Sequence, residues 1–163
     1  MKILYETLAY AAFAGFVGLL SVWPRYELVD QEKAVISLTF SHAGKRIGEC
    51  RTLTQEDLDK LPPNMRKPAD CPRERHPIRV VLRSDDIVLY DEVHAPSGIW
   101  SDGKANVYRR LVVPAGKHSI FVGMNDSGSG GEFNYDAAAN IDLVPGRNLV
   151  VSFDQQQQQL VIR

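Results

Sequence analysis

The sequence predicts a mainly β protein in which a single N-terminal transmembrane helix precedes an antiparallel β-sandwich. Three observations support this prediction. Residues 8–23 form an uncharged apolar run, short apolar segments separated by turn-forming residues fill most of the remaining chain, and two cysteines enclose a proline-rich stretch. We divide the chain into an anchor (residues 1–24), a linker (25–33) and a β-sandwich domain (34–163).

The N-terminal run is predicted to be a membrane anchor that stays on the mature protein. From Ile3 to Trp23 there are 21 residues, which at ~1.5 Å each span the ~30 Å of a bilayer's hydrocarbon core. The run ends in Trp23 and Pro24, whereas a signal peptidase requires small residues before its cleavage site. A cleaved export signal is the alternative. Both interpretations place the rest of the chain outside the cytoplasm.

One face of the predicted anchor carries only small side chains. On a helical wheel this stripe spans about 80°, has Gly15 at its margin and consists of Thr7, Ala11, Ala14, Gly18 and Ser21. Small residues let another helix approach closely in lipid, where van der Waals packing drives association. We therefore expect the anchor to pack against integral membrane subunits of a larger complex. Because alanine and glycine are common in any membrane helix, a span that contacts only the lipid bilayer is the alternative.

The two cysteines, Cys50 and Cys71, are predicted to form a disulfide. An even pair in an exported domain is usually oxidised, and this one would close a loop of about twenty residues, worth ~3 kcal/mol of stability. Two reduced cysteines in a cytosolic domain, or half of a metal site, are the alternatives, although no CxxC or HxxxH motif is near. The disulfide favours a cytoplasmic N-terminus and a periplasmic C-terminal domain.

Short segments with apolar residues, separated by turn signals, predict seven or eight strands in the domain. These are residues 34–41, 78–82, 87–93, 107–113, 118–124, 141–143 and 149–153, with 160–162 as the eighth. Turn residues at 84–86, 114–117 and 145–148 predict three hairpins, and Gln155–Gln159 is either a hairpin connection or a polar strand. Strands joined by turns, with little helix, favour an immunoglobulin-like sandwich.

A single short helix is predicted from Gln55 to Leu61. Thr54 is a favourable N-cap, and Asp57 three residues later resembles the acidic partner of a capping box. Leu53 and Leu58 have the spacing of a hydrophobic staple, and the prolines that follow at 62 and 63 end the helix.

The segment from Leu61 to Pro77 contains five prolines and is predicted to be an irregular loop held by the disulfide. Its cations outnumber its two carboxylates, and we predict that they form a basic, partner-binding surface: Arg66, Lys67, Arg73 and Arg75. A solvent-exposed connecting loop that is pinned by the disulfide and binds no partner is the alternative. Trp100, among the turn-forming residues 94–104, is a second candidate interface residue; folding back over the sandwich end is the alternative.

No catalytic constellation stands out, so we expect neither a catalytic or metal site, nor a cofactor, nor a small-molecule substrate. The four histidines lack metal-ligand spacing, and the glycine-rich residues 126–131 lack the lysine of a phosphate loop. Adjacent carboxylates at 85–86 and 91–92 point to opposite faces of a strand. A net charge of −1 gives no general attraction to nucleic acid.

Two stretches, GECRTLTQEDLDKLPPNMRKPADCPRER (Gly48 to Arg75) and WSDGKANVYRR (Trp100 to Arg110), resemble a group of proteobacterial single-pass membrane proteins of unassigned activity. Such proteins are similar in context to small accessory proteins of respiratory complexes, including C-family haem-copper oxidases. The resemblance implies a respiratory partner associated with electron transport. Together with the small-residue stripe of the anchor, it leads us to expect an accessory or assembly subunit in the bacterial inner membrane. The alternative is a membrane-tethered periplasmic module that binds a soluble protein or an envelope polymer.

Overall fold

The structure, a computed structural model, describes residues 1–23, 30 and 32–163. Most of the predicted linker, 25–33, therefore lies outside the described residues. The elements are α1 (Lys2–Val22), β1 (Lys33–His42), β2 (Arg51–Thr52), α2 (Gln55–Asp59), a 3₁₀ turn (Pro63–Met65), β3 (Ala69–Asp70), β4 (Ile78–Ser84), β5 (Ile87–His94), β6 (Ala105–Pro114), β7 (Gly116–Asn125), β8 (Tyr135–Leu143), β9 (Asn148–Asp154) and β10 (Gln159–Ile162). The predicted mainly β fold with one long N-terminal helix is confirmed.

Helix α1 is long and apolar enough to cross a membrane, a test that an N-terminal signal sequence also passes. None of its residues is buried. A helix of this composition requires an apolar environment, since water would surround its phenylalanines and leucines. Either a membrane span or an export signal fits this helix.

Two four-stranded sheets form the sandwich, one in the order β10-β9-β1-β6 and the other in the order β5-β4-β7-β8. All pairings are antiparallel except the one between β1 and β9, which run parallel. The facing sides interlock through apolar side chains, and the largest fully buried ones are Ile36, Leu38, Ile78, Leu82, Ile120, Met124, Leu143 and Leu149. This single core, with strands that alternate buried and exposed residues, holds the domain together.

The two ends of the sandwich differ in the length of their loops. We call the end that bears Lys33, where the chain arrives from α1, the near end, and the end that bears His42 the far end. Only short connections lie at the near end, namely residues 85–86, 115 and 144–147. The far end carries the three long connections, residues 43–77, 95–104 and 126–134, together with the turn 155–158.

The predicted hairpins are only partly correct. Strands β4 and β5 pair as expected, and β9 and β10 pair through the glutamine turn. The second and third predicted hairpins are wrong, because β6 and β7 belong to different sheets, as do β8 and β9. Turn residues such as those at 114–117 mark where the chain reverses, but a reversal between two sheets needs the same residue types as one within a sheet.

Helix α2 is shorter than expected and ends at Asp59 rather than Leu61. Its capping box is complete: the Thr54 side chain accepts from the Asp57 backbone N–H, and the Asp57 carboxylate accepts from the Thr54 N–H. With one turn of helix and no buried residue, α2 depends on this cap rather than on packing.

Phe133 attaches the loop 126–134 to the outer face of β7. Its ring lies directly over Gly123, where an added Cβ would stand 2.7 Å from the ring, and it also contacts the ring of Phe121 at a centroid distance of 5.7 Å. The guanidinium of Arg83 lies 4.5 Å from the centroid of Phe121. Only a residue without a side chain at position 123 leaves room for this aromatic contact.

The substitution Gly123→Ala is expected to lower the free energy of unfolding by about 1–3 kcal/mol, because the new methyl group overlaps the Phe133 ring. Chemical denaturation followed by circular dichroism measures this change. Gly131→Ala in the same loop is the matched control, since a Cβ there meets no atom within 4 Å. Equal stabilities for the two variants would contradict the prediction.

Candidate functional site

The far end is organised around the disulfide between Cys50 and Cys71, which the structure confirms. The adjoining strands β2 and β3 form a two-stranded ribbon in which Arg51 pairs with Asp70. No residue from 45 to 77 is buried. This disulfide loop therefore has no apolar core of its own, and its shape depends on the covalent bond, the ribbon and the capped helix α2. A disulfide is typical of proteins in oxidising compartments.

The disulfide loop encloses an open cleft of about 640 Å³. Its lining includes three large apolar side chains, three cations and two carboxylates: Leu53, Leu61, Met65, Arg51, Lys67, Arg73, Asp57 and Asp70. The structure thus places Lys67 and Arg73 on one cleft, as a shared binding surface requires. Arg66 is exposed in the same loop and donates from Nε to the carbonyl oxygen of Leu61, 3.1 Å away.

Arg75 lies apart from the other three cations and has a structural contact of its own. Its guanidinium donates from Nε to the carbonyl oxygen of Asp102 and from a terminal nitrogen to that of Gly44, both at 2.9 Å. Its backbone N–H donates to the carbonyl oxygen of Ser101 at 2.9 Å. Arg75 therefore joins the disulfide loop to the loop that carries Trp100, so the two candidate surfaces predicted separately are neighbours.

The loop 95–104 presents two apolar side chains to solvent. Ile99 is 96% exposed and Trp100 is 73% exposed, so Trp100 does not fold back over the sandwich end. The backbone beneath them is well ordered by hydrogen bonds: Gly103 N–H donates to Ser97 O at 2.9 Å, and Ser101 N–H donates to Gly98 O at 3.2 Å. A rigid loop that exposes an isoleucine and a tryptophan is typical of an interaction surface.

A buried histidine–aspartate pair beneath the far-end loops was not predicted. Nε2 of His42 lies 3.0 Å from Oδ2 of Asp126, and the imidazole packs edge-on against Phe153 with a centroid distance of 4.4 Å. Burial raises the pKa of the adjacent Tyr135, and the negative charge of Asp126 adds to this. The pair links the end of β1 to the loop after β7, and its burial gives substrates no access.

A serine, a histidine and an aspartate also meet at the near end, but not in the geometry of a nucleophilic triad. Nδ1 of His118 contacts both Oδ2 of Asp85 at 2.5 Å and Oγ of Ser84 at 3.3 Å. In a triad the serine and the carboxylate face opposite ring nitrogens. Here the other nitrogen, Nε2, lies 3.0 Å from the carbonyl oxygen of Pro114. The cluster therefore ties the β4–β5 turn to the β6–β7 turn.

A third polar cluster joins the two edge strands β5 and β6. The Tyr90 hydroxyl donates to Glu92 at 3.1 Å and lies 2.7 Å from Nε2 of His94. Arg109 on β6 stands 3.7 Å from the Glu92 carboxylate. Burial, and then the hydrogen bond and charge of Glu92, raise the pKa of Tyr90 to about 12. The phenol therefore stays protonated at physiological pH and keeps the proton that it donates to Glu92.

On helix α1, the predicted small-residue stripe is exposed along its whole length. The hydroxyls of Thr7 and Ser21 donate to the carbonyl oxygens of Ile3 and Val17, each at 2.8 Å. These polar groups are therefore satisfied within the helix, which an apolar environment requires. Apart from the chain neighbours and the backbone of the helix itself, no heavy atom lies within 4 Å of where a Cβ would stand on Gly15 or Gly18.

None of these clusters holds three metal-ligating side chains. Within the described residues, no group of three or more histidine, cysteine, aspartate or glutamate side chains is placed to bind a metal ion. The chain matches no protein-family model and no curated protein sequence. The resemblance to proteins of respiratory complexes therefore stays a prediction.

Removal of the disulfide by Cys50→Ser with Cys71→Ser is expected to release the disulfide loop while the sandwich stays folded. The reason is that no residue between 45 and 77 is buried. Limited trypsin digestion measures this: cleavage after Lys60, Arg66 and Arg73 should accelerate by about tenfold or more, as local opening exposes these bonds. Digestion that stays as slow as in the parent protein, with the loop intact, would contradict the prediction.

Acid is expected to loosen the near end through Asp85. The Ser119 N–H and then His118 hold the pKa of Asp85 below its usual value. Because the folded-state pKa is depressed, ionised Asp85 stabilises the fold above its ordinary pKa, and this contribution is lost as pH falls through the folded value. Thermal unfolding at pH 5.5 and pH 2.5 tests this. Asp85→Asn should lower the melting temperature at pH 5.5 more than at pH 2.5, whereas Asp86→Asn in the same turn should show no such pH-dependent difference.

Proposed function

We propose that the chain is a non-catalytic accessory subunit of a multi-subunit membrane complex, with an assembly or stabilising role. The helix spans the bacterial inner membrane with its N-terminus in the cytoplasm, and the sandwich lies in the periplasm over the partner. The observation that carries the proposal is the pairing of a fully exposed apolar helix with a sandwich that has all its long loops at the end opposite Lys33, where the chain enters the sandwich.

The helix supports this proposal through its two faces. The stripe of small residues around Gly18 leaves room for a neighbouring helix, and the opposite face carries bulky side chains that suit acyl chains, among them Phe13, Phe16 and Leu20. Since no residue of α1 is buried within the chain, its close-packing partner is a different chain or a second copy.

The polar clusters support a structural rather than a catalytic domain. His42 is buried, and His118 and Arg75 each use their ring or guanidinium nitrogens to connect loops and turns. The exposed groups of the far end, by contrast, are the apolar and cationic side chains that recur at protein interfaces. An association with respiratory electron transport follows from the sequence resemblance alone, and it makes oxidase complexes the first partners to test.

A membrane-tethered binding module for a soluble protein or an envelope polymer is the second candidate function. The far-end loops favour it, because they are the most elaborate part of the domain and lie away from the attachment point of the helix. In this function the helix is only a tether, and its surface makes no specific contact.

A substitution in the small-residue stripe tests the proposal. Gly18→Leu adds a bulky side chain where a partner helix would approach, and co-purification of the membrane complex in mild detergent should fall by about tenfold. Phe16→Leu, which places the same side chain on the opposite face, is the matched control and should leave co-purification unchanged.

Replacement of residues 2–22 by an unrelated single-pass helix separates the two candidate functions. An accessory subunit that docks through α1 loses its complex after this exchange, whereas a tethered binding module retains its function. If Gly18→Leu and the exchanged helix both leave co-purification undiminished, the accessory-subunit proposal is wrong.

A further inference from the structure

We infer that the far end of the sandwich docks an acidic, partly apolar segment of the partner's extramembrane domain. We define this far-end surface by Ile99, Trp100, Met65, Lys67 and Arg73. The inference rests on the proposed function and adds to it the contact surface and the chemistry of the partner.

Exposed apolar side chains are the first observation. Ile99 and Trp100 are the most exposed large apolar residues of the domain, and Met65 in the disulfide loop is 59% exposed. Leaving such surface in water has a free-energy cost, which burial against a partner removes. Tryptophan is also the residue type most enriched among side chains that dominate binding energy at protein interfaces.

The rigidity of both loops is the second observation. Arg75 holds them together through the carbonyl oxygens of Gly44, Ser101 and Asp102. The disulfide closes one loop, and the turn around Gly103 is packed so closely on Ser97 that a side chain at 103 would collide with it. Because the side chains are presented on an ordered backbone, little conformational entropy is lost on binding.

The charges of the cleft select an acidic partner. Of its two carboxylates, Asp57 is already used, since it accepts hydrogen bonds from Thr54 and lies 3.4 Å from the guanidinium of Arg51. Within the described part of the chain, Lys67 and Arg73 form no ion pair. With Asp57 paired to Arg51, these two cations are opposed only by Asp70, so the three cations and two carboxylates of the cleft leave a net charge of +1. A cationic excess beside apolar side chains is complementary to a segment that carries both carboxylates and apolar side chains.

The reach of the chain argues against the protein's own bilayer as the occupant. Strand β1 has ten residues, so the far end lies about 30 Å beyond Lys33. Ten peptide units separate Trp23 from Lys33, and even fully extended they span at most about 35 Å. Insertion of Trp100 into the same membrane with the far end facing it end-on would use almost all of that length, whereas a partner that protrudes from the membrane meets the far end without such extension.

Photo-crosslinking of the full-length chain in its native membrane tests the inference. The amino acid p-benzoylphenylalanine is introduced at position 100, and at position 144 of the near end as a matched exposed site. We expect a protein adduct at position 100 at several times the yield at 144. Mass spectrometry of the adduct should locate the attachment in a segment with more aspartate and glutamate than lysine and arginine.

Charge reversal gives the second measurement. Lys67→Glu with Arg73→Glu should lower the adduct yield at position 100 by about tenfold, because the introduced carboxylates repel an acidic segment of the partner. Lys117→Glu with Arg147→Glu at the near end is the control and should leave the yield unchanged. Slow trypsin cleavage elsewhere in the disulfide loop verifies that the variants fold.

The inference is overturned by an adduct to lipid or glycan, by attachment to a basic segment, by equal yields at positions 100 and 144, or by insensitivity to the Lys67 and Arg73 reversal. Its failure is distinct from that of the proposed function. Loss of the complex in Gly18→Leu without an acidic adduct at position 100 leaves the accessory role standing and removes only this docking surface. If that adduct persists after exchange of α1, the docking surface stands, but the result supports the tethered binding module rather than the accessory subunit.

Discussion

The architecture depends on strand β1, which pairs with β6 on one side and β9 on the other and buries Ala34, Ile36 and Leu38 between the sheets. β9 runs parallel to β1, so a hairpin cannot join those two strands, and the chain has to cross between the sheets before it returns. The crossings at the near end are short, at residues 115 and 144–147, and this leaves the long connections at the far end. The same ten residues of β1 fix the distance of about 30 Å between the attachment of the helix and those loops.

The residues that stabilise the domain and the surface that we propose for docking are consequently separated along the length of the molecule. The core between the sheets supplies the hydrophobic stabilisation, whereas the disulfide loop has no buried residue and is held by covalent and polar contacts. Arg75 is central to this arrangement, because one side chain satisfies the carbonyl oxygens of two loops. A surface built in this way can carry exposed apolar and cationic groups without weakening the core, since none of them belongs to it.

Local patterns in the sequence predicted most of the strands and the helices. Contacts between residues that are distant in the sequence could not be predicted from those patterns. Thr54 and Asp57 are three residues apart, so their capping box was visible in the sequence, and the pairing of Cys50 with Cys71 followed from there being only two cysteines. The assignment of β6 and β7 to different sheets depends on where the whole chain packs, and turn residues carry no such information. His42 and Asp126 are 84 positions apart and belong to unrelated motifs, so nothing local linked them.

In the candidate site, too, the sequence identified residues but not the contacts that they make. Composition identified the cations of the disulfide loop and Trp100 as interface candidates, but it gave all four cations one role. The structure separates them by the groups that they contact: Arg75 faces carbonyl oxygens inside the fold, whereas Lys67 and Arg73 face an open cleft. A cation whose donors are already satisfied gains little from an external carboxylate. One that stands in solvent beside apolar side chains can form an ion pair with a partner, and burial of the neighbouring apolar surface excludes water and strengthens that pair. The docking that we propose therefore depends less on the number of basic residues than on which of them the fold leaves unoccupied.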